Sequence, residues 1–96
     1  MTELKSIQQI LARIKPELTQ RFFVSSIGLF GSIVRDDFSS NSDVDIVVDF
    51  SKPVGIEFID LADYIEMKLK KKVDLVSKKG LSPKYFQQIE SEIIYV

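Results

Sequence analysis

Along the first twenty residues the apolar positions Leu4, Ile7, Leu11, Ile14 and Leu18 recur at steps of three and four, the period of a helix that buries one stripe. The spacing predicts a helix over about residues 3 to 14. Pro16 suits a first helical position rather than an interior one, so it is expected to break this run and open a short turn ending near Phe22. Residues 24 to 30 read as a strand, with Ile27 and Leu29 on one face and Ser26 and Gly28 on the other. Gly31 to Asn41 carries turn chemistry. Over residues 43 to 50 the alternation is clearest: Val44, Ile46, Val48 and Phe50 point to a core, while Asp43, Asp45 and Asp49 point away from it.

After Ser51, Pro53 and Gly55 a second helix is predicted from about 56 to 71, burying Phe58, Leu61, Ala62, Ile65 and Leu69. Acids in its first turns and Lys68, Lys70 and Lys71 near its end follow the polarity of the helix dipole. Residues 72 to 76 predict a strand with Val73 and Leu75 inward and Asp74 outward. Ser82 and Pro83 then offer an N-cap and first residue for a helix to about Ser91, and Ile93 to Val96 a short edge strand. The expected order is helix, strand, strand, helix, strand, helix with a possible last strand, in one domain spanning residues 1–96.

Composition narrows the chemistry. The 96 residues include no Cys and no His, which excludes disulfides, thiolate zinc sites, imidazole bases and cysteine nucleophiles. No apolar stretch approaches the roughly 20 residues of a membrane span, so the expectation is a cytoplasmic protein without membrane association. Thirteen basic residues against 14 acidic ones argue against bulk nucleic-acid binding. The charges are nevertheless segregated. Asp36, Asp37, Asp43, Asp45 and Asp49 share one segment, and Lys68, Lys70, Lys71, Lys72, Lys78 and Lys79 share another.

Asp43 and Asp45, two apart on a strand, share a face, where like charges repel unless a cation lies between them. An all-oxygen donor set points to Mg²⁺ or Mn²⁺ rather than zinc. If the strand of Asp74 pairs beside that of Asp45, a third carboxylate joins them, a layout able to hold two ions about 3.5 to 4 Å apart for phosphoryl or nucleotidyl transfer. Gly31 and Ser32, directly after a strand, allow backbone to approach a phosphate and supply a hydroxyl, and Arg35 follows with a charge for a triphosphate or for a surface pair with Asp36 or Asp37.

The segments Leu29-Phe-Gly-Ser-Ile-Val-Arg35, Ser42-Asp-Val-Asp-Ile-Val-Val48 and Lys72-Val-Asp-Leu-Val76 resemble the nucleotidyltransferase superfamily with the DNA polymerase beta type of palm. The chain is similar in particular to minimal nucleotidyltransferases, the antitoxin partners of HEPN-domain toxins. This resemblance implies an α+β fold, a small mixed sheet with helices packed on one face, and an acidic face open to MgATP. It also implies Asp43, Asp45 and Asp74 as catalytic metal ligands for two Mg²⁺ ions, and Gly31 with Ser32, aided by Arg35, as the phosphate site. The implied activity is transfer of AMP from ATP to a tyrosine of a HEPN ribonuclease toxin, with which the chain forms a complex. Asp36 departs from the family's usual Gly after the Arg. Two rivals stand beside this reading: an antitoxin that works by binding alone, and transfer to a small molecule, for which so short a chain offers no holding domain. The lysine-rich segment reads either as helix capping and solubility or as a basic rim beside Asp74.

Overall fold

The computed structural model describes residues 3–35, 37–39 and 41–96. The chain runs through α1 (Glu3–Phe22), β1 (Val24–Phe30), the single-turn α2 (Ser32–Arg35), β2 (Val44–Phe50), α3 (Glu57–Leu69), β3 (Val73–Ser77), a 3₁₀ turn, α4 (Pro83–Ile89), a second 3₁₀ turn (Glu90–Glu92) and β4 (Ile94–Tyr95). Among the described residues the strands form one sheet in the order β3-β2-β1-β4. β1 is antiparallel to both β2 and β4, whereas β2 and β3 are parallel and joined through α3. The element order is the one the pattern predicts, and the mixed sheet is the one the resemblance implies. No helix among the described residues is long and apolar enough to cross a membrane.

The core lies between one sheet face and two helices. Ile7, Leu11, Ile14, Leu18 and Phe22 of α1 and Leu61, Ile65 and Leu69 of α3 pack on Val24, Ile27, Leu29, Val44, Ile46 and Val48. Strict alternation would turn Val24 away from Ile27 and Leu29. A register shift between Val24 and Ser26 inserts an extra residue in β1, and this bulge returns Val24 to the core face.

Pro16 does not interrupt α1, which is continuous to Phe22. Proline removes the hydrogen bond to the carbonyl of Ala12, yet both residues lie on the exposed side of the helix, where water can serve that carbonyl. Ile14 and Leu18, flanking Pro16, are buried and hold the helix to the sheet. The chain leaves α1 through Phe23 in the left-handed region, φ 61°, and its carbonyl accepts the N–H of Ser51 at 2.8 Å.

At its other end α3 stops earlier than predicted. Lys70 takes a left-handed C-cap conformation, φ 56°, with its N–H on the carbonyl of Glu66 at 2.8 Å, so Lys70 and Lys71 lie beyond the helix. Ser82 caps α4 as expected, its hydroxyl accepting the N–H of Tyr85 at 3.2 Å. The expected location of helices on one face holds for α1 and α3. The opposite face is partly closed by the C-terminal segment, where Ile89 of α4 meets Phe30 and Val47, with Val76, Leu81 and Ile93 around them. The acidic surface is thereby confined to one end of the sheet.

Candidate active site

That end is built by strand register. Asp45 pairs directly with Asp74 across the parallel β2–β3 ladder, and with Phe30 across the antiparallel β1–β2 ladder. Gly31, the residue after Phe30, therefore lies against Asp45. Asp43 immediately precedes β2, and both Asp43 and Asp74 are exposed while Asp45 is partly buried. Burial is the main influence on the Asp45 carboxyl, and the charges of Asp74 and Asp43 add to it. Together, and with a smaller contribution from Glu92, they push its pKa up from 3.8 to about 6 against the opposing influence of Arg35.

Gly31 is required here by geometry. Its φ is +79°, and a Cβ on it would fall onto the Asp45 carboxylate, 2.9 Å from Cγ. The positive φ is strained for any L side chain, and a Cβ here would also have to push the Asp45 carboxylate aside. The Gly31 carbonyl accepts the N–H groups of Val34 and Arg35 at 3.0 and 3.1 Å, closing α2. Among the described residues the Ser32 hydroxyl has no hydrogen-bond partner.

One participant has no signature in the sequence. Glu92 returns from the C-terminal segment, and its Oε1 accepts the Gly31 N–H at 2.9 Å and an Arg35 N–H at 3.3 Å. Arg35 also lies 3.9 Å from Asp37; Asp36 falls outside the described residues. The structure thus brings Asp43, Asp45, Asp74, Gly31, Ser32 and Arg35 to one end of the sheet, with Arg35 already paired. The contact between Gly31 and Glu92 spans 61 residues of sequence, too far for any local pattern to reveal.

The lysine segment divides. Lys70, Lys71 and Lys72 line a cavity of about 340 Å³ with Phe38, Asn41, Ser42 and Asp43, beside the carboxylates. Lys79 lies instead at the far ends of β2 and β3, in a cavity of about 300 Å³ with Asp49, Phe50 and Phe58. Asp49 accepts the N–H of Phe50 at 3.0 Å and takes no part in the acidic cluster.

Among the described residues no three Asp or Glu side chains are gathered tightly enough to enclose an ion as they stand. The donor set still fits a hard divalent cation: the candidate donors are all carboxylate oxygens, and the repulsion of Asp74 and Asp43 that adds to burial in raising the Asp45 pKa is what a cation would relieve.

Residues 11–96 match the family described as the nucleotidyltransferase domain. The chain belongs to this family. It is 43% identical to the protein adenylyltransferase MntA of Thermococcus cleftensis, over 100% of this chain and 98% of the relative. Among solved structures it resembles a toxin-antitoxin with AMP-PNP, at TM-score 0.70 and 27% identity over 96% of this chain and 70% of the other. It also resembles a tri-AMPylated Shewanella oneidensis HEPN toxin in complex with MNT antitoxin, at TM-score 0.66 and 26% identity over 93% and 70% of the two chains. Nucleotidyltransferase domains generally use divalent metal, which agrees with the oxygen donors of this one.

Proposed function

We propose that this nucleotidyltransferase domain transfers AMP from ATP to a tyrosine hydroxyl of a HEPN-family ribonuclease toxin and serves as its antitoxin. The observation that carries the reading is Asp45, set between Asp74 and Asp43 and pressed against the Gly31 turn. A phosphate-binding turn and a cation-binding cluster in direct contact suit a reaction at the phosphate that joins them. The adenylyltransferase relative and the AMPylated toxin among the structural relatives support the acceptor class.

In this reading Asp43, Asp45 and Asp74 would hold two Mg²⁺ ions, with Mn²⁺ as the alternative. Such ions would supply charge stabilisation at the α-phosphate and lower the pKa of the acceptor hydroxyl. The Gly31 turn, the Ser32 hydroxyl and Arg35 orient the β- and γ-phosphates. The tyrosine oxygen forms a bond to the α-phosphorus, the bond to the bridging oxygen breaks, pyrophosphate leaves and the phenolic proton passes to solvent. The lowered pKa of the acceptor hydroxyl means that no histidine base is required, and the chain has none.

The test is to incubate the protein with labelled ATP, Mg²⁺ and its HEPN partner, comparing wild type with Asp43→Asn and Asp45→Asn. Label is expected on the partner with wild type and lost in both variants. Transfer that persists in both would overturn the site assignment. Toxin inhibition without any transfer would instead establish the antitoxin that works by binding alone.

A further inference from the structure

Glu92 bridges two groups that the proposed function gives to the nucleotide. One oxygen of its carboxylate takes both the Gly31 N–H, at 2.9 Å, and the Arg35 guanidinium, at 3.3 Å. The carboxylate is delivered by a well-anchored frame. β4 pairs with β1 through Gly28–Tyr95 and Leu29–Ile94, and the Val96 N–H reaches the Ile27 carbonyl at 2.9 Å. Ile93 crosses so close over Gly28 that a Cβ there would lie 2.6 Å from its Cγ2. The Glu92 side chain is only 23% exposed.

We propose that Glu92 is a positioning residue for the nucleotide side of the site, an inference that rests on the proposed function. It fixes the direction of the Gly31 peptide, on which a Cβ would fall against the Asp45 carboxylate, and it holds the Arg35 guanidinium on the same oxygen. Without it the Gly31 amide has no described acceptor, and Arg35 is left to Asp37, 3.9 Å away and more exposed. The C-terminal segment thereby becomes part of the nucleotide site although it contributes none of the metal-ligating carboxylates.

The experiment measures binding of AMP-PNP with Mg²⁺, and the kcat and KM for ATP, in wild type, Glu92→Gln and Glu92→Ala, with thermal unfolding and circular dichroism as folding checks. Glu92→Ala is expected to raise the AMP-PNP Kd and the ATP KM several-fold, because the Gly31 turn and Arg35 are no longer held in place for the phosphates, with a smaller fall in kcat. Glu92→Gln keeps an acceptor for Gly31 and loses the charge facing Arg35, so it should fall between the two. A merely structural role would lower active concentration without moving KM. Unchanged affinity in a folded Glu92→Gln or Glu92→Ala protein overturns the proposal. Tighter binding also overturns it and makes Glu92 a competitor of phosphate. If wild type itself fails to bind AMP-PNP with Mg²⁺, the proposed function and this inference fall together.

Discussion

Replacing Asp45 by Asn should make the metal-free protein more stable while abolishing transfer. The carboxyl pKa is raised in the fold from 3.8 to about 6, by burial first and then by Asp74 and Asp43. The folded protein therefore binds this proton more tightly than the unfolded chain does. Its stabilising contribution is complete below pH 3.8 and is lost as pH rises through about 6. A shift of about two units corresponds to a ceiling of about 3 kcal/mol at neutral pH. Asp45 is partly open to solvent, which screens its neighbours, and about 1 to 1.5 kcal/mol is the better expectation. For a domain of this size that is a rise in Tm of about 5 to 10 °C. Thermal unfolding of wild type and Asp45→Asn in EDTA would show the gap at pH 8 and see it close near pH 4. Adding Mg²⁺ should narrow it at pH 8, because the ion stabilises the wild-type cluster more than the variant. A variant no more stable than wild type at pH 8, or a gap of the same size at pH 4, would refute the electrostatic account of the site.

Asp74→Asn should lower the Asp45 pKa, since Asp74 is the largest charge acting on it; carbon-detected carboxyl titration by NMR measures this directly. Gly31→Ala should cost about 1 to 2 kcal/mol for its positive φ alone. The new methyl should also displace the Asp45 carboxylate, so urea denaturation should show the loss and the transfer assay should read background. Pro16→Ala should stabilise the protein by about 1 to 2 kcal/mol, because a proline inside a helix is intrinsically costly and only part of that is offset by its stiffening of the unfolded chain. The urea midpoint should rise at constant slope. Ser82→Ala removes the acceptor for the Tyr85 N–H and should lower stability by about 1 kcal/mol, with transfer unaffected at a temperature where the variant is folded.

The sequence-based reading of the elements holds where periodicity is strong and unopposed. The stripe of Leu61, Ile65 and Leu69 in α3 serves a single buried face, so its pattern carries the whole instruction. In β2 the alternating Val44, Ile46 and Val48 reach that core as read, while Val47 is buried on the opposite face against Phe30 and Ile89. The reading errs at Pro16, where a local rule meets a helix anchored on both sides by Ile14 and Leu18. Tertiary burial outweighs one missing hydrogen bond whose carbonyl remains in water. The Val24 bulge is likewise invisible locally, because the extra residue is decided by pairing with β2.

For the site, residue types and spacing within one stretch of chain determined the candidates: Gly31 and Ser32 after a strand, Asp43 and Asp45 at the start of another, and no imidazole or thiol to compete with oxygen chemistry. Local spacing constrains neighbours on a strand because the backbone sets their separation. Only the tertiary structure decided that Asp74 stands in register with Asp45, that Gly31 bears on the same carboxylate, and that Glu92 closes over Gly31 and Arg35. These are contacts between segments far apart in sequence, and their geometry is set by how strands pair and how the C-terminal segment packs over the second sheet face.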